Sequence, residues 1–380
     1  MDATFKADLN LTSIKLNLKI LQIISGGNVN GAVTYCKFLS EQLERFGHEV
    51  TVLCRPGSWL QQRLPQSIEV VESDFSRRPL ELRRVAKWIR EQHFDVMHSH
   101  MSSAHFFGVL MRLMTGTPVV ATAHQCSVQL HWRLNHHVIA NSDATAAYQR
   151  KINWVPASKL TTVYCFTDLE RFTNTTPDAV QWVRNEMRIK DKDFVVGVVG
   201  DVLARKGHLY LFKAIEQIVA SVPNFKLVLV GRFHRDQSYV KRLRSLQRNP
   251  ALLNRVKWLG VRENVQDFMG AFDLAVVPSV EEPLGLVALE AMATGTPVVA
   301  TNAGGLPEIV QSNVTGLLVP RKNPRELAHA VIAMAQDADL RQRLGESGRR
   351  FVQENFKPEE LARKVEEVLL TQVKHRSAVA

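Results

Sequence analysis

Glu282 and Glu290 frame the stretch of this chain with the clearest chemical character, Pro278 to Glu308, which reads PSVEEPLGLVALEAMATGTPVVATNAGGLPE. Two glutamates at this spacing say nothing alone, since roughly one such pair is expected by chance in a chain of this length. Their setting gives them content. Glu282 stands in a turn before Pro283 and Gly285, where a carboxylate can accept hydrogen bonds from a polyhydroxylated ligand. Glu290 follows about five residues into a helix that the pattern starts near Gly285, so the two carboxylates are separated by roughly 7–10 Å along its axis. The amides of Gly285, Leu286 and Val287 are the unpaired donors of that helix start and suit a phosphate. An extended ligand with a pyrophosphate between two hydroxyl-rich ends matches all three features. The plainer alternative is a solvated turn residue and a helix-surface residue. It accords poorly with Leu284, Leu286, Val287, Leu289 and Met292, which crowd around Glu290.

Other residues point at the same chemistry. Gly200 ends a strand pattern, and the loop after it carries Arg205-Lys206-Gly207 on the same expected cleft edge. A fixed cation there would lower the barrier to bond breaking as charge grows on a leaving phosphate. An exposed basic loop is the alternative. His124 follows a further strand and as a neutral imidazole can donate to a hydroxyl or phosphate oxygen, unless it is a core or loop histidine without function. His98 and His100, two apart, share one strand face, but no matching acidic or cysteine ligand set accompanies them, so no metal is expected. The Gly26–Gly31 loop is not a G-x-G-x-x-G fingerprint and Gly200–Gly207 is not a P-loop, so neither NAD nor ATP is indicated. Gly27 and Gly31 let backbone approach a sugar or anion closely, or simply make a tight turn.

Two runs of alternating elements position these residues. Leu18 to Ser25 reads as a strand, Ala32 to Phe46 as a helix, Glu49 to Cys54 as a strand, Leu80 to Gln92 as a helix, Asp95 to Ser99 as a strand, Ala104 to Met114 as a helix and Pro118 to Thr122 as a strand. The pattern turns polar from Thr173 to Lys192 and then resumes with strands at Phe194–Gly200, Leu227–Gly231, Val256–Leu259, Leu274–Val277 and Pro297–Thr301. Strands alternating with helices imply parallel sheets covered on both faces, with ligands at the strands' carboxyl ends. The expected division is an acceptor-side domain over 1–172, a nucleotide-sugar domain over 173–356, and a final helix within 357–380 that packs on either half.

Bulk properties narrow the partners. At 380 residues the chain exceeds the usual size of one hydrophobic core, and 45% hydrophobic content supports two. The surplus of 48 basic over 37 acidic residues, a formal charge of +11, favours anionic partners. The basic residues are spread along the chain, with no aromatic-interleaved stripe, so nucleic acid is not expected. Four scattered cysteines without a Cys-x-x-Cys pair fit a reducing cytoplasm. Neither a signal-peptide core nor a run of roughly 18 apolar residues is present, so a soluble protein, or one peripheral at the inner face of the membrane, is expected. Arg83, Arg84, Lys87 and Arg90 on the Leu80–Gln92 helix could rest on anionic lipid or be a solvated face, whereas Phe106, Phe107, Val109, Leu110 and Leu113 read as core.

Taken in order, Gly26-Gly27 and Gly31, Gly47-His48-Glu49-Val50, Asp95 to His100, His124, Asn141-Ser142, Arg205-Lys206-Gly207 and Pro278–Glu308 make the chain similar over nearly its whole length to family 4 retaining glycosyltransferases. The resemblance implies an α/β chain of GT-B architecture, two Rossmann-like, doubly wound parallel-sheet domains facing across a cleft. It implies transfer of a sugar from a UDP- or GDP-sugar to an acceptor hydroxyl with retention, in cell-surface polysaccharide, lipopolysaccharide or glycolipid biosynthesis, with no cofactor required. A sugar, a glycolipid or a lipid-linked molecule would be the acceptor. Glu290 would hold the ribose, Glu282 the transferred sugar and Lys206 with Arg205 the pyrophosphate; His124 would touch the sugar, and the Gly260-Val261-Arg262 loop the base. Two departures stand out: Asp201 replaces a common arginine, and Cys165-Phe166 replaces a common Asn-Gly. Alternatives on the same architecture are an epimerase or phosphorylase, and an inactive sugar-nucleotide-binding protein, which Asp201 keeps open.

Overall fold

The computed structural model describes residues 17–233 and 237–379, with side chains as far as Lys374. Its strands form two sheets. The first holds β1 (Lys19–Ile24), β2 (Glu49–Cys54), β3 (Glu69–Glu72), β4 (Val96–His100), β5 (Val119–Ala123), β6 (His137–Ala140) and β7 (Leu160–Thr162), in the order β3-β2-β1-β4-β5-β6-β7. The second holds β8 (Phe194–Val199), β9 (Phe225–Val230), β10 (Val256–Gly260), β11 (Leu274–Val277), β12 (Val298–Thr301) and β13 (Leu317–Val319), in the order β10-β9-β8-β11-β12-β13. Every pairing within the two sheets is parallel. Each sheet reverses its strand order beside its first strand, so each has a switch point where loops part and a ligand can enter.

The central strands β1, β4, β5, β11 and β12 are almost wholly buried, as a parallel sheet covered on both faces requires. Four strands lie outside the expected set. β3 is an exposed Glu-Val-Val-Glu edge, β7 and β13 have three residues each, and β6 is the four residues His137–Ala140. Such segments are too short for alternation to register. Leu113 is also misplaced by the sequence reading: Phe107 and Val109 are buried, but Leu113 is 69% exposed. It lies roughly 120° around the helix from Phe107 and so faces away from the sheet.

The chain passes between the sheets twice. From β7 it runs through Cys165 and Phe166, both buried, into a short helix, Leu169–Thr173, and a longer one, Pro177–Glu186. The Asn-Gly of the common pattern is thus replaced by side chains absorbed into the core, with Phe166 edge-on to Tyr35 at 5.1 Å. The return follows Phe356, whose ring lies 5.4 Å from Tyr164 beside the first crossing. The helix Pro358–Val379 then packs against the helix Gly31–Arg45, burying Leu361, Ala362, Val365 and Leu369. His48 fastens it there: its Nδ1 accepts from the Leu18 amide at 3.1 Å, which leaves Nε2–H to donate to Glu366 at 2.8 Å.

Candidate active site

The residues after β8 and β11 meet at one edge of the second sheet. The Arg205 carbonyl accepts from the amides of Val280 at 2.7 Å and Glu281 at 3.2 Å, stitching the two loops together. Lys206 is thereby set against Glu282, with Nζ to Oε2 at 2.6 Å, and Ser279 Oγ donates to the same oxygen at 2.9 Å. Glu282 is only 9% exposed. A carboxylate so buried is tolerable because a cation and a hydroxyl satisfy it.

The Glu282 turn rests on glycine. A Cβ on Gly304, whose φ is +55°, would fall 1.8 Å from the Glu282 carbonyl oxygen, and the next amide, Gly305 N–H, donates to that oxygen at 3.0 Å. Gly285, with φ +108°, ends the turn and precedes the helix Leu286–Ala293. The left-handed backbone of Gly285 lets the chain enter the helix without a side-chain cap, and the amides of Gly285, Leu286 and Val287 form no hydrogen bond with a described residue. Their N–H groups are available to an anion.

Glu290 follows on the inner side of this helix. Thr167 Oγ1, on the first crossing, donates to its Oε1 at 3.1 Å. Burial pushes the Glu290 carboxyl up to about 7, against the Thr167 hydrogen bond and the charges of Arg171 and Lys206, which favour the ionised form. From the first sheet, Gly31 opposes the helix start; a Cβ there would lie 3.2 Å from Leu286 Cδ1. Arg232, following β9, donates to the Val29 carbonyl at 3.2 Å, drawing the Gly27–Gly31 loop over the same edge.

The remaining sequence-predicted residues stand differently. The Arg205 side chain is exposed and forms no hydrogen bond or ion pair with another described residue. Val261 is 51% exposed beside Arg262, which pairs with Glu186 at 3.3 Å, and no bond joins Val261 to the Glu282 cluster. His124 caps β5 with both ring nitrogens facing protein: Nε2 is 3.0 Å from His100 Nδ1, and Nδ1 is 3.7 Å from Cys165 Sγ. His100 Nε2 continues to Gln22 Oε1 at 2.8 Å. Burial pushes His124 and His98 down to about 3, so both are neutral. His98 and His100 share a face, with ring centroids 4.3 Å apart, and no group of three or more His, Cys, Asp or Glu among the described residues is arranged to hold a metal ion.

Ser279, Thr167 and Gln22 escaped the sequence reading as parts of this neighbourhood, and His100 entered it only as a motif residue and not as the partner of His124. For Ser279 a signal was present, since it stands two residues beyond the end of β11 in the segment singled out. Thr167 gave none, because its bond to Glu290 spans 123 positions.

Two family models match in tandem: "Glycosyltransferase Family 4" over residues 29–171 and "Glycosyl transferases group 1" over 182–351. Among curated relatives, the chain is 28% identical to D-inositol 3-phosphate glycosyltransferase of Corynebacterium jeikeium, covering 89% of this chain and 91% of the relative. It is 26% identical to N-acetyl-alpha-D-glucosaminyl L-malate synthase of Bacillus anthracis, over 93% of this chain and 96% of that one. Among solved structures, Anabaena HepE in complex with UDP-glucose superposes with a TM-score of 0.84 at 25% identity, over 93% of this chain and all of that one. A glycosyltransferase from Rickettsia africae shares the fold, with a TM-score of 0.84 at 21% identity over 94% and 99% of the two chains. Both sheets and both halves of the sequence therefore agree: the chain belongs to the family 4 glycosyltransferases, with the GT-B fold.

Proposed function

We propose that this glycosyltransferase moves a sugar from a UDP- or GDP-sugar to an acceptor hydroxyl, with retention at the anomeric carbon, in the making of a cell-surface polysaccharide, lipopolysaccharide or glycolipid. The observation that carries this reading is the Lys206–Glu282 pair at 2.6 Å beside the open amides at Gly285, Leu286 and Val287. Lys206 and those amides take the pyrophosphate, Glu282 the hydroxyls of the transferred sugar and Glu290 the ribose hydroxyls. Arg205 supplies a second, movable cation. Gly27 and Gly31 admit the donor close to backbone, and Val261 flanks the base. His124 serves the sugar once a hydroxyl replaces the weak Cys165 contact at Nδ1.

As the bond to the sugar breaks, negative charge collects on the leaving phosphate, where Lys206 is already held in place. The same phosphate oxygen accepts the acceptor's proton, so the acceptor attacks from the face the phosphate leaves and configuration is kept. The UDP-glucose complex of HepE favours a uridine donor. The acceptor is a sugar, a glycolipid or a lipid-linked molecule. Arg83, Arg84, Lys87 and Arg90 are exposed, as are Leu113, Leu130 and Leu134, which favours a peripheral contact with anionic membrane at its inner face. No helix among the described residues is long and apolar enough to cross a membrane.

The test is acceptor-dependent release of nucleoside diphosphate from UDP-, GDP- and ADP-sugars by the purified protein. Glu282→Ala and Lys206→Ala should abolish it in folded protein, and unaltered rates overturn the assignment. Flotation with anionic but not neutral liposomes is expected; equal recovery from both rejects an electrostatic contact.

A further inference from the structure

The Glu282 turn is held from both domains. On its own side Gly304 and Gly305 support it; on the other, the start of the helix Asp143–Lys151 presses against it. Ser142 Oγ lies 2.5 Å and Thr145 Oγ1 3.3 Å from the carbonyl oxygen of Pro283, the residue after Glu282. Both hydroxyl-bearing residues are fully buried. Ser142 Oγ accepts the Thr145 amide at 3.0 Å as the helix cap, and its one proton is shared between the Pro283 oxygen at 2.5 Å and Thr145 Oγ1 at 3.0 Å, whose own proton also points to Pro283. The next two orphan amides of that helix, Asp143 and Ala144, donate to the two oxygens of Glu308, each at 2.8 Å. Glu308 belongs to the second sheet's side of the molecule and follows the Gly304-Gly305 turn. A carboxylate at a helix start is favoured both by the open N–H groups and by the helix dipole.

This arrangement does more than join two surfaces. Gly305 is wedged between the partners, since a Cβ there would fall 2.5 Å from the Pro283 oxygen and 3.0 Å from Ser142 Cβ. The helix start and the backbone that carries Glu282 thus approach so closely that only a glycine fits between them.

We propose that Ser142, Thr145 and Glu308 are positioning residues, a strap through which the first domain sets the place of the Glu282 carboxylate against the transferred sugar. The inference rests on the reading of Glu282 as the sugar-binding carboxylate. By it, free nucleoside diphosphate, which ends before the sugar, binds without regard to the strap, whereas transfer depends on it.

The experiment is a double-mutant cycle in the full chain. Ser142→Ala and Glu308→Gln are each made alone and combined with Glu282→Gln, and kcat and KM for the donor are read beside the Kd of free UDP and GDP. The expected result is a fall in kcat of about tenfold or more for either strap variant, in line with the rate lost to small misplacements, with Kd for the nucleotide within about threefold. In the Glu282→Gln background the same variants should change kcat by less than about threefold. An unchanged kcat overturns the proposal, as does an equal loss in both backgrounds or a parallel loss of nucleotide affinity, which marks general loosening. Should Ser142→Ala fail to fold, Glu308→Gln, which keeps the side-chain volume, is read by the same criteria. If Glu282→Gln alone leaves transfer intact, it is the functional reading that fails, which separates the two.

Discussion

Glu290→Gln should make the protein more stable and less able to hold its donor, and the two effects should separate with pH. The carboxyl stands at about 7 in the folded chain against an ordinary 4.5, chiefly through burial. Between those values the folded state keeps a proton that the unfolded state has lost, so the group subtracts stability as pH rises through this window. The full displacement corresponds to about 3 kcal/mol above pH 8 and to about 1 kcal/mol or less at pH 5. Glutamine cannot ionise, yet its oxygen still accepts the Thr167 hydroxyl. The variant should therefore melt about 5–10 °C above wild type at pH 8.5 and within about 3 °C of it at pH 5. Losing the ionised acceptor for the ribose should weaken UDP or GDP binding about 10- to 100-fold at pH 8.5. Thermal unfolding at the two pH values and calorimetric titration with the nucleotides read both quantities. A stability gain independent of pH, a loss of stability at pH 8.5, or undiminished nucleotide affinity would refute the reasoning.

Removing the Lys206 ammonium leaves the Glu282 carboxylate buried without a charge partner, so Lys206→Ala should lower stability by about 3 kcal/mol in urea unfolding at pH 7. Adding Glu282→Gln should restore most of that without restoring transfer; no recovery would show that the pair is not coupled. Gly304→Ala must push back the Glu282 carbonyl, so kcat should fall about 100-fold while free UDP or GDP binds within about threefold of wild type; an unaffected rate would show that the turn is not constrained there. His48→Ala removes the hydrogen bonds to the Leu18 amide and to Glu366 through which His48 ties the residue before β1 to the last helix, and chemical denaturation should show a loss of about 2–3 kcal/mol.

What could be read in advance followed from range along the chain. β11 and β12 announce themselves because buried parallel strands are largely apolar and end in Ser or Asn turns, whereas β4, Val-Met-His-Ser-His, is fully buried yet three of its five residues are polar. The Pro278–Glu308 segment was legible because its strand, turn and helix are contiguous, so the spacing of Glu282 and Glu290 carries geometry. β3, β7 and β13 were not, because a short edge strand is defined by its neighbour's hydrogen bonds rather than by its own pattern. Lys206 was recognisable as a cation in a suitable loop, but its contact with Glu282 spans 76 positions and appears only after both loops have folded. Glu290 shows the limit from another side: its apolar neighbours foretold burial, whereas Thr167 and Arg171, which moderate that burial, lie across the domain crossing. His124 was found by its place after a strand, but its hydrogen-bonded chain to His100 and Gln22 was hidden inside three separate strands.

The return of the last helix has a consequence for how the molecule comes into being. Gly31–Arg45 is covered by Pro358–Val379, a segment synthesised after every strand of both sheets. During synthesis the first sheet therefore waits with an apolar helix face uncovered while the whole second sheet is being made. The two halves cannot mature strictly one after the other, and the first is finished last. Until His48 meets Glu366, that bare apolar face is exposed to association with other chains.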